Sequence, residues 1–111
     1  MSAIPYSDFD KVEIRVGRII RAEEFSKAKP PAYKLWIDFG DHGVKTSSAR
    51  ITKRYARESL LGRLVLAATN LEPRKVVDFV SEVLVLGAVP EPGDVILARL
   101  DEEAPLGGRI L

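Results

Sequence analysis

The chain has no cysteine, one histidine, one tryptophan, and no apolar run near the roughly 20 residues needed to cross a bilayer. Without cysteine there are no disulfides, zinc–thiolate sites or cysteine nucleophiles, which fits a reducing compartment. The lone His42 sits in the turn Gly40-Asp-His-Gly43 with no second ligand nearby, so no metal site is expected. There is no glycine-rich phosphate loop and no histidine-based triad. The carboxylate pairs Glu23-Glu24 and Glu102-Glu103 fall in expected loops, with no scaffold to drive their pKa values apart. These absences point to a binding protein without a cofactor rather than an enzyme. Met1 to Asp8 lacks the basic and apolar regions of a signal peptide, so a cytoplasmic protein without membrane insertion is expected. Internal repeats and low-complexity segments are also missing.

At 111 residues and 46% hydrophobic, the chain is long and apolar enough for one domain with a true core. The net charge of +1 conceals a polarised distribution. From Lys45 to Arg63 there are six cations (Lys45, Arg50, Lys53, Arg54, Arg57, Arg63) and one acid, Glu58. From Glu91 to Leu111 there are five acids and two arginines. A basic block of this kind is either a solvated face or a surface for phosphate backbones.

Local patterns predict short strands separated by turns. Ser7 is a candidate cap for a short helix with Asp8 and Asp10 near its positive end, and Phe9 would pin it to an apolar surface. Val12 to Val16 alternates as a half-buried strand does. The alternation slips phase at Gly17 before Ile19 and Ile20, which predicts a bulge or sharp bend there. Residues 23 to 32 read as a loop, with two lysines beside Pro30-Pro31. Tyr33 to Phe39 alternates, placing Leu35, Ile37 and Phe39 inward and Lys34, Trp36 and Asp38 outward. Val44 to Ala49 reads as a third strand. Thr52 caps an expected helix ending near Leu61 before Gly62, with Tyr55 packing inward. Residues 64 to 70, 81 to 88 and 95 to 100 complete the strands, with a turn at Pro90-Glu-Pro-Gly93. The expected fold class is all-β with one inserted short helix: a five-stranded β-barrel of the oligonucleotide-binding (OB) type, with an N-terminal helical and a C-terminal strand extension. An SH3-like barrel is the competing arrangement. The domain is expected over residues 8–111, after an N-terminal extension of residues 1–7.

The densest polar cassette is Asn70, Arg74, Lys75, Ser81 and Glu82, held between two apolar runs. It combines hydrogen-bond donors with cations and lacks a nucleophile–base pair, which favours binding over catalysis. Arg74 and Lys75 follow Pro73 on a constrained turn, so little entropy is lost when they contact a ligand. Asn70 is either a groove-facing amide or a strand-end residue bonded to backbone. Trp36, beside Lys34, is either an outward platform for a base or a peptide, or is covered by a dimer interface or a loop. With Arg50, Lys53 and Arg54 from the basic block, these are the candidate nucleic-acid or peptide contacts.

Four stretches carry a family resemblance: Asp10-Lys-Val-Glu-Ile-Arg-Val-Gly-Arg-Ile, Lys34-Leu-Trp-Ile-Asp-Phe-Gly, Asn70-Leu-Glu-Pro-Arg-Lys and Ser81-Glu-Val-Leu-Val-Leu. Together they resemble the tRNA-binding domain of Trbp-type and EMAP-type proteins, which is also appended to some aminoacyl-tRNA synthetases. Ala22-Glu-Glu-Phe and Ser47-Ser-Ala-Arg-Ile-Thr-Lys-Arg-Tyr are similar to its CsaA-type branch of export-related chaperones. The chain departs from many tRNA-binding members at Ser48-Ala49 and at Leu84, where a methionine is common. The resemblance implies an OB-fold homodimer, with Ser81 as the ligand-site serine beside Glu82. It also implies a cytoplasmic chaperone that holds unfolded preproteins and contacts the SecA translocation motor, or else a protein that binds tRNA. The chaperone reading expects capture of extended, apolar and basic segments.

Overall fold

The computed structural model describes residues 1–111. A five-residue helix, α1 (Tyr6–Asp10), opens the chain; Pro5 precedes it without a side-chain cap, and none of its residues is buried. The barrel strands follow as β1 (Ile14–Phe25), β2 (Ala32–Asp38), β3 (Val44–Ala49) and β4 (Leu64–Ala68). The expected loop therefore begins only after Phe25. Three short pieces come next, β5 (Arg74–Val76), β6 (Phe79–Ser81) and β7 (Leu84–Val85), and then the pair β8 (Gly87–Glu91) and β9 (Asp94–Leu97). The main sheet has the antiparallel order β3-β2-β1-β4-β7, and β5–β6 and β8–β9 are separate hairpins. The result is a curled, OB-like half-barrel. No helix is long and apolar enough to cross a membrane.

β1 is the long curved element that lets one strand serve two neighbours. Its first half pairs with β4 and its second half with β2. The register shift falls between Ile19 and Arg21, so Ile20 is the bulged residue and the bend is not at Gly17. Gly17 is required for a different reason. A Cβ there would lie 2.5 Å from Ile37 Cγ2 and 2.7 Å from Phe39 Cε1. The glycine lets the sheet fold over its own core by close approach, without an unusual backbone angle.

Inside the curl, Ile19, Leu35, Ile37, Phe39, Leu60 and Val65 are fully buried, so the alternation read in β2 holds. The expected helix over 52 to 61 is instead a single turn at Ile51, an extended Ala56 and a 3₁₀ turn at Arg57–Leu60. The anchors explain the difference: Ile51, Tyr55 and Leu60 are four and then five residues apart, and a five-residue step rotates off one helix face. The expected strand over 81 to 88 is split three ways, because Ser81 and Val83 turn inward while Leu84 stays exposed. The C-terminal segment is stitched to β1 by Val16 N–H to Gly108 O (2.9 Å), Gly107 N–H to Val16 O (2.8 Å) and Ile110 N–H to Ile14 O (2.8 Å).

Candidate ligand groove

The hairpin β5–β6 lies over the outer face of β1 and β2. Phe79 is its wedge, with ring centroids 5.7 Å from both Phe25 and Trp36 in edge-to-face arrangements. Phe25, Ala28 and Ala32 form a second small core beneath it. Trp36 therefore lies on the outer face of the sheet as its parity requires, but it is half-buried beneath Phe79, and the Arg21 guanidinium sits 4.5 Å over its ring. Lys34 is engaged as well, with its Nζ 4.8 Å from the Phe25 ring centroid and 5.3 Å from that of Phe79. These two candidates form the hairpin's seat, not an open platform.

The two residues closing the cassette also act within the fold. Ser81 Oγ accepts from the Ser48 amide (2.9 Å), and Glu82 Oε1 accepts from the Thr46 amide (3.0 Å) and hydroxyl (2.9 Å). The Glu82 and Val83 amides donate to Thr46 O at 2.8 and 3.1 Å. β3 is an edge strand, and these bonds satisfy groups that would otherwise be an open template for pairing. Asn70 takes the backbone alternative. Its Oδ1 accepts from the Glu13 amide (2.8 Å) and its Nδ2 donates to Lys11 O (2.7 Å), fastening the end of β4 to the start of β1.

The basic block divides in the same way. Lys53 Nζ donates to Glu91 (2.8 Å), and Arg54 grips Asp94 with two bonds of 3.0 and 2.6 Å. Through those hydrogen bonds Arg54 holds the Asp94 carboxyl below the usual aspartate range, and Asp94 raises the Arg54 guanidinium. Both cations brace the hairpin β8–β9 and are neutralised within the chain.

Arg50, Arg74 and Lys75 remain without ion pairs. They converge with Lys29 on one groove of about 580 Å³ between β3, the hairpin β5–β6 and the hairpin β8–β9. Its larger apolar lining residues are Ile51, Val76, Leu84, Val85, Leu86, Val89 and Val95, and no carboxylate and no aromatic ring takes part. A smaller cleft of about 220 Å³ adjoins it, lined by Ser48, Leu71, Glu72, Arg74 and the Ser81–Leu84 stretch. Of the ten candidates, three therefore face the groove as free cations, and seven are engaged inside the protein. Lys29 was not among the candidates, although two lysines beside Pro30-Pro31 marked its loop. The apolar wall from Leu84 to Val95 read only as strand. No cluster of three or more His, Cys, Asp or Glu side chains is placed to hold a metal ion.

Known proteins share this architecture. The crystal structure of the chaperone CsaA from Bacillus anthracis str. Ames superimposes with a TM-score of 0.95 at 47% identity, covering 99% of this chain and 100% of that one. The CsaA chaperone protein from Picrophilus torridus gives a TM-score of 0.90 at 44% identity, covering 98% and 100%. Methionine–tRNA ligase of Bdellovibrio bacteriovorus is 37% identical over 107 residues, which is 96% of this chain but only 15% of the ligase. The family model tRNA_bind, "Putative tRNA binding domain", matches residues 14–109. The chain belongs to the tRNA-binding domain family.

Proposed function

We propose that this domain is a CsaA-type chaperone of the cytoplasm, without catalytic activity, which holds unfolded polypeptides, preproteins among them, in the groove between its hairpins. The observation that carries this reading is the groove's composition: an apolar floor, four cations, and neither a carboxylate nor an aromatic ring. Stacking on aromatic rings is the usual source of single-strand affinity, and no ring lines the groove; only the Arg50 and Arg74 guanidinium planes could meet a base there. Apolar side chains of an extended segment fit the floor. The cations alter one expectation: they repel basic segments and suit apolar segments that carry aspartate or glutamate. The 47% identity to the Bacillus anthracis chaperone supports the same reading. With no nucleotide loop in the chain, release follows mass action or hand-off, and SecA is the proposed recipient.

The working form is proposed to be a homodimer. Ile4 and Tyr6 beside α1 are each 68% exposed, and Phe9, packed against Tyr6, is 37% exposed. Apolar surface of this kind is more typical of subunit interfaces than of free surface.

The second reading, tRNA binding, is favoured by the family match and by Arg50, Arg74 and Lys75 standing free. One experiment separates the two. Binding of a permanently unfolded polypeptide and of tRNA is measured across salt, for the native chain, Leu84→Asn and the pair Arg74→Ala with Lys75→Ala. Under the chaperone reading, Leu84→Asn weakens polypeptide binding about tenfold, and salt removes only the part that the four cations contribute, leaving the apolar part in place. Under the tRNA reading, the double substitution flattens the salt slope by about 2 and Leu84→Asn is harmless. Polypeptide binding abolished by salt and indifferent to Leu84→Asn would exclude apolar capture.

A further inference from the structure

A second cleft, of about 720 Å³, shares no lining residue with the groove. It opens beside the start of β4 and is walled by residues 62–64 and by Leu97–Glu103, from the last residue of β9 onward. Three arginines from three separate stretches line it: Arg18 on β1, Arg63 just before β4, and Arg99 past the end of β9.

The three arginines stand in different environments. Arg18 Nη1 donates to Gly62 O at 2.8 Å, which fixes the guanidinium across the strand–turn junction. Arg63 lies with its guanidinium carbon 5.1 Å from the Tyr55 ring centroid. Its backbone is locked by Arg63 N–H to Leu60 O (3.1 Å) and Ile19 N–H to Arg63 O (2.9 Å). The Arg63 Nε is shut away from solvent and has no hydrogen-bond partner. A half-buried guanidinium lacking an anion is costly, and with its Nε closed off only its Nη groups can meet an anion in the cleft. Arg99 is exposed, and neither it nor Arg63 is paired with a carboxylate.

Three carboxylates, Asp101, Glu102 and Glu103, line the cleft beside the three arginines. Only Glu103 reaches an arginine of the cleft, through one contact of 3.3 Å to Arg18 Nη2, with its own side chain 79% exposed. A single long contact from an exposed side chain is a weak ion pair. It does show that an oxygen anion fits beside Arg18. One carboxylate can occupy one guanidinium fork, whereas the tetrahedral oxygens of a phosphate can meet several forks at once.

We propose that this cleft binds a phosphate group through Arg18, Arg63 and Arg99, and that Glu103 is its displaceable internal occupant. The phosphate comes either from a nucleic-acid backbone or from a small phosphorylated compound. Arg18 and Arg63 are already held by hydrogen bonds, so only the exposed Arg99 has to be ordered on binding.

Calorimetric titration of the full chain with inorganic pyrophosphate tests this, and tRNA competition identifies the source. One saturable site per chain is expected. Arg99→Gln and, separately, Arg18→Gln should each weaken it about tenfold. Glu103→Gln should strengthen it about threefold by removing the competitor. Arg74→Ala with Lys75→Ala, which alters only the groove, should leave it unchanged. If pyrophosphate displaces tRNA and Arg99→Gln weakens both ligands alike, the phosphate is that of the backbone. If tRNA is indifferent to pyrophosphate while the arginine substitutions still act on pyrophosphate, it is that of a small compound. No saturable binding, binding that survives both arginine substitutions, or weakening by Glu103→Gln would overturn the proposal. Loss of pyrophosphate binding on changing Arg74 and Lys75 would also overturn it, placing the anion in the groove and leaving the groove's own role standing.

Discussion

The two hairpins that wall the groove are the same supersecondary unit fastened by different physics. β5–β6 is held by Phe79, wedged against Phe25 and Trp36, and by the Ser81 and Glu82 side chains bonded to the edge of β3. β8–β9 is held to the turn after β3 by Lys53–Glu91 and Arg54–Asp94, and every residue of β8 is exposed. Leu97 N–H to the Tyr55 hydroxyl (3.0 Å) and Ala98 N–H to Leu86 O (3.1 Å) hinge its base. An apolar wedge resists salt and acid, whereas ion pairs respond to both. β9 also sends Leu97 into the main core, with Val95 packed against it, so the adjustable part of this second wall is expected to be β8, while β5–β6 stays stiff.

The largest effect tests the body that both hairpins share. Gly17→Val forces a branched side chain into space already filled by Ile37 and Phe39, and a loss of about 3 kcal/mol is expected from overpacking. Chemical denaturation reads it; an unchanged midpoint would mean that the sheet can open there at no cost.

Phe79→Ala follows, at about 2 kcal/mol for a half-buried aromatic whose second core collapses only in part. It should also free Trp36, so fluorescence should shift red and quencher access should rise. Native emission in this variant would show that Arg21 alone covers the ring.

Asp94→Asn should cost less than Phe79→Ala and act on the other wall. Amide exchange should rise in β8–β9 and stay slow in β5–β6. The Asp94 carboxyl is held below its ordinary value chiefly by the Arg54 hydrogen bonds. Its stabilisation is thus complete above the unfolded aspartate value of about 4 and is lost as pH falls through the lower folded value. Acid should loosen β8–β9 before the core unfolds. Asp78, at the tip of β5–β6, is also lowered, first by the charge of Lys27, but that pair is exposed at 71% and 59% and the aromatic wedge remains when it titrates. Simultaneous loosening of both hairpins in acid would erase the contrast.

The smallest effect is Lys53→Gln. Its pair with Glu91 is exposed on both sides, and less than about 1 kcal/mol is expected, vanishing in high salt. A loss that persists in salt would mean that the lysine stem packs against the hairpin.

Much of the fold was legible because the pattern is local. The alternation of Leu35, Ile37 and Phe39 predicts their burial, and Val44 to Ala49 falls where residue preferences place it; of the turn expected at Pro90-Glu-Pro-Gly93 only Pro92-Gly93 turns, because Pro90 and Glu91 extend β8. The Gly17 reading found the right residue for the wrong reason: the phase slip was visible, but the bulge is at Ile20 and the glycine answers to side chains on another strand. The helix over 52 to 61 failed because charge and a cap residue suggested it while the spacing of Ile51, Tyr55 and Leu60 did not fit one face.

By itself, the sequence determined a β-rich domain with a polarised charge and a polar cassette around Arg74 and Lys75. Which cations remain free was decided only by the tertiary structure. Lys53 and Arg54 meet acids 38 and 40 residues further along, whereas Arg50, Arg74 and Lys75 meet none. Ser81 and Glu82 close a strand edge 33 and 36 residues earlier. A charge or a hydroxyl has the same chemistry wherever it stands in a chain. Whether it serves a ligand or the fold depends on which partner the backbone brings within hydrogen-bond reach, and that is a property of long-range approach, not of local pattern.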